Sequence, residues 1–117
     1  MNVRAESHAD HTLVVAEGRI DYNSAASFQA ELERAIAGTR APSAVVLDCG
    51  TLEYVSSAGL RAFLVGARAA QKAGVAFMLC GLQPAVLEVF KLSGFSQIMA
   101  IHKDREAALA QVRAPRT

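Results

Sequence analysis

Apolar and polar positions fall into distinct blocks along the chain. Asn2 to Ser7 alternates weakly, the pattern of an edge strand, and His8-Ala9-Asp10 follows as a turn. Thr12-Leu13-Val14-Val15-Ala16 is apolar and β-branched. It predicts a second strand over His11 to Ile20, pairing back on the first as a hairpin, with Gly18 near its end. Asp21-Tyr22-Asn23-Ser24 is turn-rich, and Ser24 suits the N-cap of a helix over Ala25 to Ala37. Phe28, Leu32 and Ile36 recur at helical spacing and give that helix one buried stripe, while Gln29, Glu33 and Arg34 lie mostly away from it. Gly38 to Pro42 ends it, with Gly38 as the residue just past the helix.

Ser43 to Leu47 is a continuous apolar run, the pattern of a strand covered on both faces. Asp48-Cys49-Gly50-Thr51 reads as the chain leaving that strand, with Leu52, Tyr54 and Val55 anchoring a loop. The next helical pattern runs from Leu60 to Lys72. Leu60, Phe63, Leu64 and Ala67 are expected to face the sheet, opposite Arg61, Val65, Arg68 and Lys72, with small Ala58, Ala62 and Ala69. Gly74 stops it, and Val75 to Cys80 is another apolar strand. Pro84 opens a short helix with Val86, Val89 and Phe90 as its stripe and Gly94 at its end. Ile98 to Ile101 reads as a last strand, and Asp104 caps a final helix to about Arg113. The order ββαβαβαβα implies one α/β domain with a mixed sheet, edged by the first hairpin.

The stretch that organises this pattern is Tyr54-Val55-Ser56-Ser57-Ala58-Gly59-Leu60-Arg61. It places two hydroxyls between a strand and a long helix. A serine there can accept from the free N–H groups of the first helical turn, which is the ordinary N-cap role. The same N–H groups and the helix dipole favour an anion by about 0.3–1 kcal/mol, so the fold would tolerate a phosphate on either serine. Beside the serines, Ala58, Ala62 and Val65 offer a small, partly apolar surface next to Arg61, open either to solvent or to a partner.

Composition narrows the function classes. The 117 residues suffice for one core, and a net charge of +1 gives no strong pull toward nucleic acid or membrane. No apolar run approaches the roughly 20 residues of a membrane span. The N-terminus lacks the apolar core of a signal peptide, so a cytoplasmic protein is expected. Cys49 and Cys80 each trail an apolar strand and are expected to be buried free thiols. His8, His11 and His102 show no metal-ligand spacing with them, and no metal or cofactor is expected.

Catalytic machinery is hard to find. Gly-x-Ser-x-Gly is absent around Ser57, and so are the glycine-rich phosphate loops. His102, after the last strand, is a weak candidate base. Asp21 and Asp48 could form a metal or acid–base pair, or Asp48 could cap a loop. A presented hydroxyl without an activating base suits a substrate for another protein's chemistry better than an enzyme.

Gly18-Arg19-Ile20-Asp21, Val45-Val46-Leu47-Asp48, Val55-Ser56-Ser57-Ala58-Gly59-Leu60 and Leu92-Ser93-Gly94-Phe95, set in this order of elements, resemble the STAS domain. Within it the chain is most similar to the bacterial anti-sigma-factor antagonists. The resemblance covers Val3 to Val112. It implies a STAS domain over 3–113, and the remaining residues 114–117 read as a frayed tail. It also implies a switch. The unphosphorylated antagonist binds an anti-sigma factor with serine kinase activity and frees the sigma factor. The kinase then phosphorylates a serine at the start of the second helix, the complex separates, and a serine phosphatase resets the cycle. The family's phosphorylated serine falls on Ser57. The resemblance, with the surface pattern above, implies partner contacts at Asp21, Tyr22, Asn23, Ser24, Ser56, Ala58, Gly59, Arg61, Ala62 and Val65.

One departure matters. Many family members carry an aspartate directly before the phosphorylated serine, and this chain has Ser56. A second hydroxyl therefore competes for the modification. STAS domains also serve in transport and stress-signalling complexes without phosphorylation, which leaves a scaffold as the alternative function.

Overall fold

The β-branched, apolar runs of the sequence make a five-stranded sheet in the computed structural model, which describes residues 1–41 and 43–114. Pro42 in the expected helix-ending segment, and Pro115, Arg116 and Thr117 of the expected tail, lie outside the described residues. β1 (Asn2–Ser7) and β2 (His11–Ile20) form the antiparallel hairpin, with Ser7 opposite Thr12. β3 (Ala44–Val55), β4 (Ala76–Cys80) and β5 (Ala100–His102) then add in parallel, in the order β1-β2-β3-β4-β5.

That sequential order decides where the helices go. Parallel connections cross over right-handed, so strands added in one direction put every crossover helix on the same face. α1 (Ala25–Ala37), α2 (Ser57–Ala73) and α3 (Pro84–Leu92) accordingly share one core with Val14, Val45, Leu47 and Leu79. An aromatic line ties them together. Phe28 lies 5.0 Å from Phe63, and Phe63 meets Phe90 edge-on at 5.1 Å. The final helix, α4 (Arg105–Arg113), covers the other face, where Ala108 packs with Leu13, Val15, Val46 and Met78. Asp104 caps it, accepting the Ala107 N–H at 2.8 Å. Cys49 and Cys80 are buried free thiols, and burial pushes the Cys80 thiol up to about 12.

Four features differ from the sequence reading. β3 does not end near Leu47 but continues to Val55, because β2 keeps pairing with it through Ile20 opposite Val55. Asp48 is therefore a strand residue. It receives two N–H bonds from Arg105, at 3.0 and 2.7 Å, and one from Gly50 at 2.9 Å. The expected strand from Ile98 starts at Ala100, after a 3₁₀ turn over Phe95–Gln97, and Ile98 is exposed. Ser24 holds the N-cap position of α1, but its hydroxyl makes no cap bond. Finally, the most buried face of α2 is Gly59, Ala62, Phe63, Gly66 and Ala70, with Leu60, Leu64 and Ala67 half-buried at its side. The helix is turned toward α1, where a Cβ on Gly66 would stand 2.4 Å from Leu32 Cδ2. Only small residues allow that approach.

Candidate functional site

The extra length of β3 builds the site. The last register shared by three strands sets Asp48 beside Val15 and Cys80. Beyond it β2 and β3 run on as a pair. At about 3.3 Å per residue, this arm carries Val55 roughly 20 Å past the end of β4. At its tip the chain turns directly into α2.

The turn is fixed by backbone bonds. The Ser56 N–H donates to the Ile20 carbonyl at 2.8 Å, and the Leu60 N–H donates to the Ser56 carbonyl at 2.8 Å. Ser56 is extended, with φ −77 and ψ 173, and its Oγ accepts the Gly59 N–H at 3.1 Å. Ser56 is thus the N-cap. Gly59 seats the helix on the arm, because a Cβ there would stand 2.8 Å from Ile20 Cγ2 and 2.9 Å from Val55 Cγ1.

Ser57 has a different environment. It is the first residue of α2, it is exposed, and its hydroxyl has no hydrogen-bond partner among the described residues. One serine is spent on the helix start and the other is presented.

The loop after β2 closes the other side. Asp21 Oδ1 accepts the N–H groups of Asn23 and Ser24, both at 3.0 Å. These bonds, the Ser24 N–H first and then its hydroxyl, hold the Asp21 carboxyl below its ordinary range. The Ser24 hydroxyl accepts the Asp21 N–H at 3.0 Å and lies 3.1 Å from both the Arg19 carbonyl and Asp21 Oδ1. The loop is therefore held by its own side chains, and Tyr22 stands out from it, 84 % exposed. Arg19 flanks the tip, 4.4 Å above the Tyr54 ring.

Between the two helix starts lies an open groove of about 600 Å³, lined by Tyr22, Ala25, Ala26, Gln29, Ala58, Arg61 and Ser57 itself. Among the described residues that line it there is no histidine, cysteine or carboxylate, so none of them offers a base to Ser57. His102 ends β5 at the sheet edge, two strands away from β3. Asp21 and Asp48 belong to separate networks, one in the loop and one with Arg105. Among the described residues, no cluster of three His, Cys, Asp or Glu side chains could hold a metal ion.

Of the residues singled out in the sequence, Asp21, Tyr22, Asn23, Ser24, Ser56, Ser57, Ala58 and Arg61 come together at this end. Val65 is half-buried, two turns after Ser57 along α2. Gly59 and Ala62 do not join them on the surface. Both are buried, Ala62 at 1 % exposure, because α2 turns its small residues inward. The sequence reading missed Ala25, Ala26 and Gln29 of α1. The sequence carried no local signal for them as a set: Ala26 and Gln29 lie off the Phe28–Leu32–Ile36 stripe, whereas Ala25 is buried along with it.

A family model described as the STAS domain matches residues 2–108. The chain belongs to the STAS domain family. BtrV of Bordetella bronchiseptica, whose name assigns it as an anti-sigma factor antagonist, is 44 % identical over 88 residues, which cover 75 % of this chain and 76 % of BtrV. A structure from Thermotoga maritima, also assigned as an anti-sigma factor antagonist, superposes with a TM-score of 0.86 at 16 % identity, covering 96 % of this chain and 95 % of the other. The Bacillus anti-sigma factor antagonist SpoIIAA has been solved in two states. Its unphosphorylated form gives a TM-score of 0.79 at 20 % identity, over 99 % of this STAS domain and 100 % of SpoIIAA. Its phosphorylated form gives 0.71, over 96 % and 100 %. At these identities the structures speak for the fold.

Proposed function

We propose that this STAS domain is an anti-sigma-factor antagonist switched by phosphorylation of Ser57. The observation that carries the reading is the division of labour between the serines. Ser56 Oγ caps α2, and Ser57 Oγ is exposed, with no hydrogen-bond partner among the described residues, in a groove between two helix starts. In the unmodified state the half-buried Ala58, with Tyr22, Arg61 and Gln29, gives a partner a mixed apolar and polar seat. Val65 extends that seat along α2. The partner is an anti-sigma factor with serine kinase activity, and docking it frees the sigma factor.

The kinase passes the γ-phosphoryl group of ATP to Ser57 Oγ. The hydroxyl proton leaves to a base on the kinase, and ADP is the other product. The substrate side supplies only an accessible nucleophile, which fits a groove without a base. The phosphate adds about −1.5 to −2 charges at pH 7. That charge would have to be desolvated inside the interface, so the complex separates. The first free N–H groups of α2 and the positive helix end accept it, so the fold persists. A serine phosphatase returns the chain to its binding form. The protein acts without catalysis of its own, in the cytoplasm, where the ATP-dependent kinase resides.

The presented hydroxyl favours this reading over an unmodified scaffold. Incubation with the kinase and ATP should add one phosphate. Fragmentation mass spectrometry should place it on Ser57, Ser57→Ala should abolish it, and Ser56→Ala should still accept it. A phosphate found on Ser56 would overturn the reading.

A further inference from the structure

Arg61 is a charged residue of the groove lining. It is exposed, and among the described residues its guanidinium makes no ion pair or hydrogen bond. It stands four residues after Ser57 in α2, so the two side chains share one strip of the helix. Helical side chains lean toward the N-terminus, and a residue covers the surface over the turn before its own Cα. Arg61 therefore covers the turn that begins with Ser57. Both side chains line the same groove.

Little else at this end can compete for either group. α2 contains no aspartate or glutamate, and the other described residues lining the groove carry no charge. Charged groups on the arm and the loop include Arg19 on β2, Asp21 on the loop and Glu53 on β3. Arg19 lies over Tyr54, and Asp21 is held by the Asn23 and Ser24 N–H groups. The Ser56 hydroxyl has already taken the Gly59 N–H.

We propose that Arg61 is the clasp for a phosphate on Ser57. Its guanidinium folds back by one turn and holds the phosphate through two parallel N–H···O bonds, the geometry that suits arginine and not lysine. This rests on Ser57 being the modified residue, and it names the side chain that receives the new charge. Modification then changes the groove twice. It adds a phosphate, and it withdraws the one cation that the groove's described residues offer to an acidic group of the partner.

The test uses the full chain with phosphoserine installed at position 57 during synthesis, so it needs neither kinase nor anti-sigma factor. The phosphate is titrated by phosphorus NMR. With Arg61 present, its second proton should dissociate at least about threefold more readily than in Arg61→Gln, because an opposite charge in contact favours the dianion. Arg61→Lys should recover part of the difference. Arg68→Gln, about two turns further along α2, should match the parent. Equal titration in parent and Arg61→Gln would overturn the clasp. So would an equal displacement by Arg68→Gln, which would assign the effect to the general field of the helix. A kinase that leaves Ser57 unmodified would overturn the switch instead, and the two failures are read in separate experiments.

Discussion

Two adjacent serines with the same chemistry do different work because of where backbone N–H groups lie. Ser56 is extended and reaches forward to Gly59, whereas Ser57 is already helical and points to solvent. Ser56→Ala should therefore destabilise the domain by about 1 kcal/mol, the usual cost of a lost N-cap, in a denaturant melt. Ser57→Ala should stay within about 0.5 kcal/mol, as exposed substitutions without partners do. Equal losses at the two positions would show that the roles are assigned wrongly. A second residue-scale test sits at the opposite end, in the turn between β1 and β2. The Asp10 carboxylate pairs with His11 Nδ1 at 2.6 Å and accepts from Arg113 Nε at 2.9 Å, which hold it at about 2 against an ordinary 3.8. The folded value lies below the unfolded one. Its stabilising effect is thus complete above about pH 4 and lost as the pH falls from there toward about 2. Asp10→Asn should lower the melting temperature at pH 7, and the gap to the parent should close between pH 4 and pH 2. A gap that stays constant down to pH 2 would contradict this.

At the scale of elements, α2 is the piece on which the site depends, and its contact with α1 is set by glycine. Gly66→Ala places a methyl group against Leu32 and should cost about 1–3 kcal/mol, the usual penalty for overpacking. A loss below about 0.5 kcal/mol would mean that Leu32 moves aside freely, as surface positions do. This contact also explains what the sequence concealed. Hydrophobic spacing located α2 correctly, because Phe63 dominates the pattern. It pointed the apolar face at Leu60, Phe63, Leu64 and Ala67, of which Phe63 is fully buried and the others half-buried, because it weights side chains by size. In a helix packed on both a sheet and a second helix, the closest face carries the smallest residues, so Ala62 looked like surface and is core. The length of β3 was hidden for a related reason. Asp48 to Thr51 read as the chain leaving the strand, yet Asp48 is satisfied by Arg105 from α4, far away in sequence. The position of the two serines was legible because local capping chemistry decides it. The α1 side of the groove was not, since nothing local to Ala25, Ala26 or Gln29 states what they face.

At the scale of the whole molecule, the sequential strand order puts three helices on one face, and the β2–β3 arm lifts the starts of two of them away from the rest of the sheet. The groove can thus change its charge without involving the core. Phe28, Phe63 and Phe90 pack in the core, and none of them lines the groove. This separation is what a switch requires: a large change in binding with a small change in stability. The most direct measurement is the calorimetric affinity of the anti-sigma factor for two forms of the chain, one unmodified and one with phosphoserine at position 57, with thermal melts of both. The modified form should bind at least about tenfold more weakly, or roughly 1.4 kcal/mol, with a nearly unchanged melting temperature. Equal affinity for the two forms would contradict the switch.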